Sequence, residues 1–184
     1  MSYKLGAIGI GHWVKRLQRT LANDGRIALH KAVGVTSFEQ KKADLEEFGI
    51  TKSNYFQIEP LSPLPEEFFN GVDAVQIASH NQFHAKQTMQ SLESEKVTVV
   101  EKTFAVNRES FEHVIDYIKS NNHTRRVTVH LHYLGKMLTL ELPKILPDAI
   151  KEFGKVKSAV GTFFEDENLE DARRNWLYKP ENGG

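Results

Sequence analysis

The chain has no cysteine among its 184 residues, which excludes disulfides and thiolate chemistry. It has no excess of either charge: Lys+Arg and Asp+Glu are 24 each, and the pI is about 7.1. A general nucleic-acid binder carries a basic surplus, so none is expected as a partner. No stretch approaches the roughly 20 apolar residues of a membrane span, so no membrane partner is expected either. The opening MSYKLGAIGIG lacks a long apolar region followed by a cleavage site, and is not read as a signal peptide. What these absences leave is a globular, cytoplasmic protein.

What is present is alternation. KLGAIGI (4–10) is short and apolar, and from His12 to Ala22 the residues Trp13, Leu17 and Leu21 recur at helical spacing. IALHKAVGV (27–35) reads as a strand and FEQKKADLEEFG (38–49) as a charged helix stopped by Gly49. Pro60, Pro63 and Pro65 mark a loop before a short helix. DAVQIAS (73–79) reads as a strand, HAKQTMQSLES (84–94) as a helix and VTVV (97–100) as a strand. A helix carrying Phe111, Val114, Ile115 and Ile118 follows, then a strand candidate at RVTVHLHY (126–133). This pattern predicts a Rossmann-type, doubly wound parallel sheet with helices on both faces. Strand ends in such a sheet gather along one carboxyl edge, where ligands bind. Glu101 and Lys102, which end the strand VTVV, fall at that edge. After residue 134 the pattern changes, so residues 1–133 are expected to form a dinucleotide-binding domain and 134–184 the beginning of an α+β substrate domain.

The first strand runs into Gly9-Ile10-Gly11-His12-Trp13-Val14 and then a helix. In a dinucleotide site the first glycine allows the tight turn and the second lets the backbone approach the pyrophosphate. The helix N-terminus then supplies free N–H groups and partial positive charge. Val14 occupies the third glycine position. The plain alternative is an ordinary glycine turn in an α/β protein.

NAD sites usually carry Asp or Glu at the end of the second strand, for the ribose 2′-hydroxyl. This strand ends Gly34-Val35-Thr36-Ser37 with no carboxylate, and Lys41 and Lys42 follow. A carboxylate about 4 Å from a 2′-phosphate would cost about 4 kcal/mol per unit charge at an effective dielectric of 20, and here that barrier is absent. Thr36 and Ser37 can donate hydrogen bonds and Lys41 can add charge, so NADP is favoured over NAD. The alternative is that both lysines belong to a solvated helix face.

The N-terminal G-I-G, the segment ASHNQFHAKQ, the segment VVEKTFAVN and the final NWLYKPENGG stand in an order that resembles the Gfo/Idh/MocA family. These are NAD(P)-dependent oxidoreductases acting mostly on sugars and cyclitols. The resemblance implies that Lys102 is the active-site lysine, touching both the substrate hydroxyl and the nicotinamide end. It implies that Glu101 lies near the nicotinamide ribose, and that Ser79, Asn81 and His84 belong to the segment lining the cofactor. Gly9, Gly11, His12 and Trp13 match the pyrophosphate turn. Thr103 and His80 stand where the family usually has proline. Members are about twice this length and pair through the second domain, so the chain is expected to be the N-terminal part of a homo-oligomeric enzyme.

A shorter run, HYLGK, resembles the substrate signature of glucose-6-phosphate dehydrogenases, which implies sugar-phosphate binding by His132, Tyr133 and Lys136. A lysine and an imidazole on a glycine-containing loop make a compact anion site. The alternative is a Tyr–Leu core pair with a surface lysine. His130 and His132 share one side of a strand with no third ligand at useful spacing, so no metal is expected and structural roles are assigned to both. Arg173, Arg174 and Trp176 fit a substrate mouth or a sheet edge equally well. The expected function is hydride transfer between a nicotinamide cofactor and a sugar, cyclitol or sugar phosphate, with Lys102 sharing or polarising the hydroxyl proton. The alternative is a non-catalytic dinucleotide-binding regulator acting through a protein partner.

Overall fold

The computed structural model describes residues 2–130 together with 144, 147, 148, 150–152 and 154. The chain divides into two compact units, and the sheet described below lies in the first. Elements alternate along it: β1 (Tyr3–Ile8), α1 (His12–Ala22), β2 (Ile27–Gly34), α2 (Phe38–Glu46), β3 (Tyr55–Gln57), α3 (Glu66–Phe69), β4 (Ala74–Ile77), α4 (Asn81–Glu93), β5 (Val97–Glu101), α5 (Arg108–Ser120) and β6 (Val127–His130).

The six strands order as β3-β2-β1-β4-β5-β6, and every neighbouring pair is parallel. The chain reverses its direction of travel across the sheet between β1 and β4. That switch point opens a crevice at the carboxyl edge, because the loops leaving the two strands turn to opposite faces.

Alternate side chains fill two faces. Ala7 and Ala32 pack with Ile10, Val14, Leu45 and Ile50, which brings α1 and α2 onto one side. Ile8, Val33, Val75, Ile77 and Val100 point the other way, onto Leu64, Phe68, Phe69 and Val72. Ala85 and Leu92 of α4 meet Val114 and Ile118 of α5 in a third cluster. Strands buried on both faces are largely apolar, as in Leu5–Ile8 of β1, but β4 carries a buried Gln76 whose Oε1 accepts from Gln18 Nε2 at 3.4 Å. Helix starts are fixed chemically. The Ser37 side chain and Gln40 form a reciprocal capping box on α2. The Asn107 side chain accepts from the Ser110 N–H at 2.8 Å to start α5.

Three features depart from the periodicity. The buried residues of α1 are Val14 and Gln18, not Trp13, because the helix turns its slimmer side onto Ala7 and Ala32. Trp13 is 43% exposed, with the Arg16 guanidinium 5.7 Å from its ring centroid. Phe111 is likewise largely exposed, set edge-on to Phe104. Strand β3 was not expected: it has three residues and lies at the sheet's edge, too short to show alternation. The expected boundary at 133, the second domain, and the residues His132, Tyr133, Lys136, Arg173, Arg174 and Trp176 lie outside the described residues.

Candidate functional site

Parallel strands bring the loops after β1, β2, β4 and β5 to one edge. Gly9 leaves β1 with φ of +85°, a conformation that favours glycine. A Cβ on Gly9 would stand 2.8 Å from the Ala78 carbonyl oxygen and from the Ser79 N and Cα atoms. The first glycine is therefore required by the β4 loop beside it. Gly11 differs: its φ is −101°, and a Cβ there would meet nothing within 4 Å. It precedes α1 with no side-chain cap, so the helix's first N–H groups are left for a ligand or water. A bare turn beside an uncapped helix N-terminus fits the pyrophosphate of a dinucleotide. Val14, in the third glycine position, is fully buried, and its side chain fills the space between helix and sheet.

At the end of β2, the Tyr55 hydroxyl donates to the Thr36 carbonyl at 2.5 Å, and burial holds the Tyr55 phenol above its ordinary value. The Ser37 hydroxyl is engaged with Gln40, donating to its Oε1 at 2.8 Å. Lys41 reaches Asp44 at 3.8 Å, and Asp44 also takes Lys15 at 2.9 Å. The Lys15 ammonium holds the Asp44 carboxyl below its usual range. Lys42 pairs at 3.9 Å with Glu46 on its own helix. Among the described residues no carboxylate closes this strand end, and Lys41 is only loosely held.

Beside the crevice, the Ser79 hydroxyl donates to Gln87 Oε1 at 2.6 Å, and Asn81 opens α4 almost fully buried. His84 is 1% exposed. Its Nδ1 lies 2.7 Å from the Thr103 carbonyl oxygen and its Nε2 3.1 Å from that of Ser79. Burial pushes its imidazole below the ordinary value, against the opposing pull of these two carbonyls. Rather than facing a cleft, His84 ties the loop after β4 to the loop that carries Lys102.

Glu101 is 8% exposed at the end of β5, and His130 Nδ1 lies 2.6 Å from its Oε1. Lys102 is exposed and makes no ion pair with a described residue; the peptide bond from Lys102 to Thr103 is cis. Gly9, Ser79, His84, Lys102, Glu101 and His130 thus follow one another along the edge, while Thr36, Ser37 and Lys41 lie on its β2 side. Sequence reasoning missed Tyr55, Gln87 and the pairing of His130 with Glu101. Only the strand register signals that last contact, since Glu101 and His130 are direct partners across β5 and β6. A shallow groove along α1 is lined by His12, Arg16, Arg19, Thr20 and Asn23, beginning at the helix's first residue. Its Arg19 is already held by Glu47 through two bonds, of 2.6 and 2.8 Å. Among the described residues no group of His, Asp and Glu could hold a metal, and no helix is long and apolar enough to cross a membrane.

Residues 3–130 match the family model described as an oxidoreductase family with an NAD-binding Rossmann fold. Among solved structures, the chain is similar to scyllo-inositol dehydrogenase from Lactobacillus casei with bound NAD(H) and scyllo-inositol. That match has 19% identity and a TM-score of 0.66, over 81% of this chain and 42% of that one. An aldose-aldose oxidoreductase from Caulobacter crescentus matches at 20% identity and TM-score 0.66, over 81% and 43%. A 3-ketoreductase from Actinomadura kijaniata, in complex with NADP, matches at 15% identity and TM-score 0.62, over 82% and 45%. The chain spans less than half the length of these structures. No curated protein matches it.

Proposed function

Because the chain belongs to the Gfo/Idh/MocA oxidoreductase family, we propose that it is an NAD(P)-dependent dehydrogenase acting on a CH–OH group of a cyclitol, sugar or sugar phosphate. The observation that carries this reading is the shared edge: the open Gly11 turn, the acid-free end of β2 and Lys102 all lie at the carboxyl ends of one parallel sheet. The coenzyme, when bound, accepts or donates the hydride.

The chain's own residues bind, orient and move a proton. The Gly9–Trp13 turn and the N-terminus of α1 take the pyrophosphate. Thr36, Ser37 and Lys41 receive the adenosine ribose, and with no carboxylate among them NADP is preferred to NAD. Ser79 and Asn81 line the crevice. Residues at the ends of β4 and β5 would then hold the reactive half. There Lys102 donates a hydrogen bond to the substrate oxygen and polarises it. His84 keeps its place behind that loop, holding the Thr103 carbonyl. The sugar and cyclitol class is supported by the inositol dehydrogenase and the aldose oxidoreductase among the similar structures. The sugar-phosphate class rests on His132, Tyr133 and Lys136, and assembly into a homo-oligomer on the family's second domain.

The test is a titration of the protein with NADPH and NADH, followed by tryptophan emission. A screen of scyllo-inositol, myo-inositol, aldoses and sugar phosphates for absorbance of the reduced coenzyme then follows. Binding with turnover on one of these classes supports the reading. Binding without turnover on any favours a non-catalytic regulator, and no binding removes the proposal.

A further inference from the structure

We propose, resting on the dehydrogenase reading above, that Tyr55 is a positioning residue for the choice between NADPH and NADH: its hydroxyl, passing over Gly34 to the Thr36 carbonyl, fixes the main chain from which Thr36 meets the adenosine ribose. Residues from two strands and the loop after β2 make one device. Tyr55 is the register partner of Ala32 where β3 lies beside β2. Its hydroxyl donates to the Thr36 carbonyl at 2.5 Å. A Cβ on Gly34 would stand 2.5 Å from the Tyr55 hydroxyl oxygen and 3.5 Å from its Cζ. Gly34 is not among the glycines with positive φ, so the passage of the phenol, not the backbone conformation, is what calls for glycine here.

The plain reading is an edge-strand aromatic whose hydroxyl is satisfied. The ring does pack on the cluster of Ala32, Leu45 and Ile50, and lies 6.0 Å from that of Phe38. Two observations argue for more. The connection from β2 to α2 has only Val35, Thr36 and Ser37, and the last of these is spent on the helix. The Ser37 hydroxyl donates to Gln40 Oε1 at 2.8 Å, and the Ser37 N–H donates to the same oxygen at 3.3 Å. Of the two loop hydroxyls, that of Thr36 is the one without a partner among the described residues. The second observation is that the residue offering this hydroxyl is the one whose carbonyl Tyr55 holds. Fixing the peptide beforehand spares the coenzyme the cost of ordering it. A donor so fixed gives a charge-assisted bond to a 2′-phosphate and a weaker one to a 2′-hydroxyl, so the device favours NADPH. Burial holds the Tyr55 phenol above its ordinary value, which keeps the hydroxyl a donor throughout the neutral range.

Tyr55→Phe keeps the ring and removes the bond. In titrations of the full chain, the Kd for NADPH should rise about 3- to 10-fold more than that for NADH, the worth of one such hydrogen bond. On a turned-over substrate the loss should fall on the KM for NADPH rather than on kcat. Thr36→Val removes the hydroxyl and leaves the carbonyl. It should lower the NADPH preference too, and Tyr55→Phe added to it should lower the preference no further, because Tyr55 acts through Thr36. Gly34→Ala keeps the phenol but displaces its oxygen, so it should reduce the preference in the wild-type background and not beside Tyr55→Phe. An unchanged ratio of the two constants in Tyr55→Phe, whatever its Tm, overturns the proposal and leaves the dehydrogenase reading intact. So does a further loss in the double variant, or a wild-type chain that binds the two coenzymes equally. If Tyr55→Phe does not fold, the same ratio in Gly34→Ala decides. A wild-type chain that binds neither coenzyme removes the dehydrogenase reading and this one with it.

Discussion

Alanine at Gly9 and at Gly11 should separate fold from ligand within a single turn. At Gly9 the backbone holds φ of +85°, and the new methyl would stand 2.8 Å from three backbone atoms of Ala78 and Ser79. Neither residue can move without shifting β4, whose register with β1 runs through Ile8 and Ile77. Left-handed geometry costs an alanine about 1–2 kcal/mol, and forced overpacking adds about 1–3 kcal/mol. The sum, about 2–5 kcal/mol, corresponds to a fall in Tm of about 4–20 °C for a chain of this size. Gly11 meets nothing within 4 Å and has φ of −101°. There the loss of a tolerated cap is about 0.5–1 kcal/mol, and it is offset by a stiffer unfolded chain worth about the same. Its Tm should therefore hold, while the methyl stands where the pyrophosphate approaches. Losing one charge-assisted hydrogen bond of about 1.5–3 kcal/mol predicts a coenzyme Kd raised about tenfold or more. Thermal denaturation and a fluorescence titration with NADPH read the two effects. If Gly11→Ala binds coenzyme like the wild type, or Gly9→Ala melts with it, the account of this turn is wrong.

Other residues of the edge give further expectations. Lys102→Ala should lower kcat about 10²- to 10⁴-fold with Tm unchanged, because the side chain is exposed and unpaired among the described residues; retained turnover would remove it from the mechanism. Lys41→Ala should weaken NADPH more than NADH, by about fivefold, since a charge pair at about 4 Å in water is worth about 1 kcal/mol; equal effects on the two coenzymes would mean Lys41 only serves Asp44. His84 is held below its ordinary value by burial, so the unfolded chain takes up that proton first. The stability it contributes above about pH 6.5 is lost as pH falls through the lower folded value. Urea unfolding of His84→Asn should therefore show a shallower loss of stability on acidification than the wild type, and an identical slope would assign the loss to other groups.

Much of the fold was legible because both periods were present. Val75 and Ile77 in a short apolar run, and Val114 and Ile118 at helical spacing, need no partner to be recognised. The glycine turn was legible from its context between strand and helix. What failed was anything set by the angle at which elements meet. Spacing set Trp13, Leu17 and Leu21 on one helical face, but the side of α1 packed on Ala7 and Ala32 is the one carrying Val14. The bond between Glu101 and His130 joins residues 29 apart, and its existence depends on β6 lying beside β5 in that register. The role of His84 was hidden for the same reason: its partners are main-chain carbonyls, which carry no sequence signal.

The account's central claim is that a pyridine dinucleotide lies along the carboxyl edge from β2 to β5. A crystal structure of the full chain grown with NADPH tests it most directly. The account predicts the pyrophosphate on the Gly9–Trp13 turn, the adenosine ribose beside Thr36 and the nicotinamide ring near Lys102. Density for the coenzyme elsewhere, or an empty crevice at saturating NADPH, would contradict it.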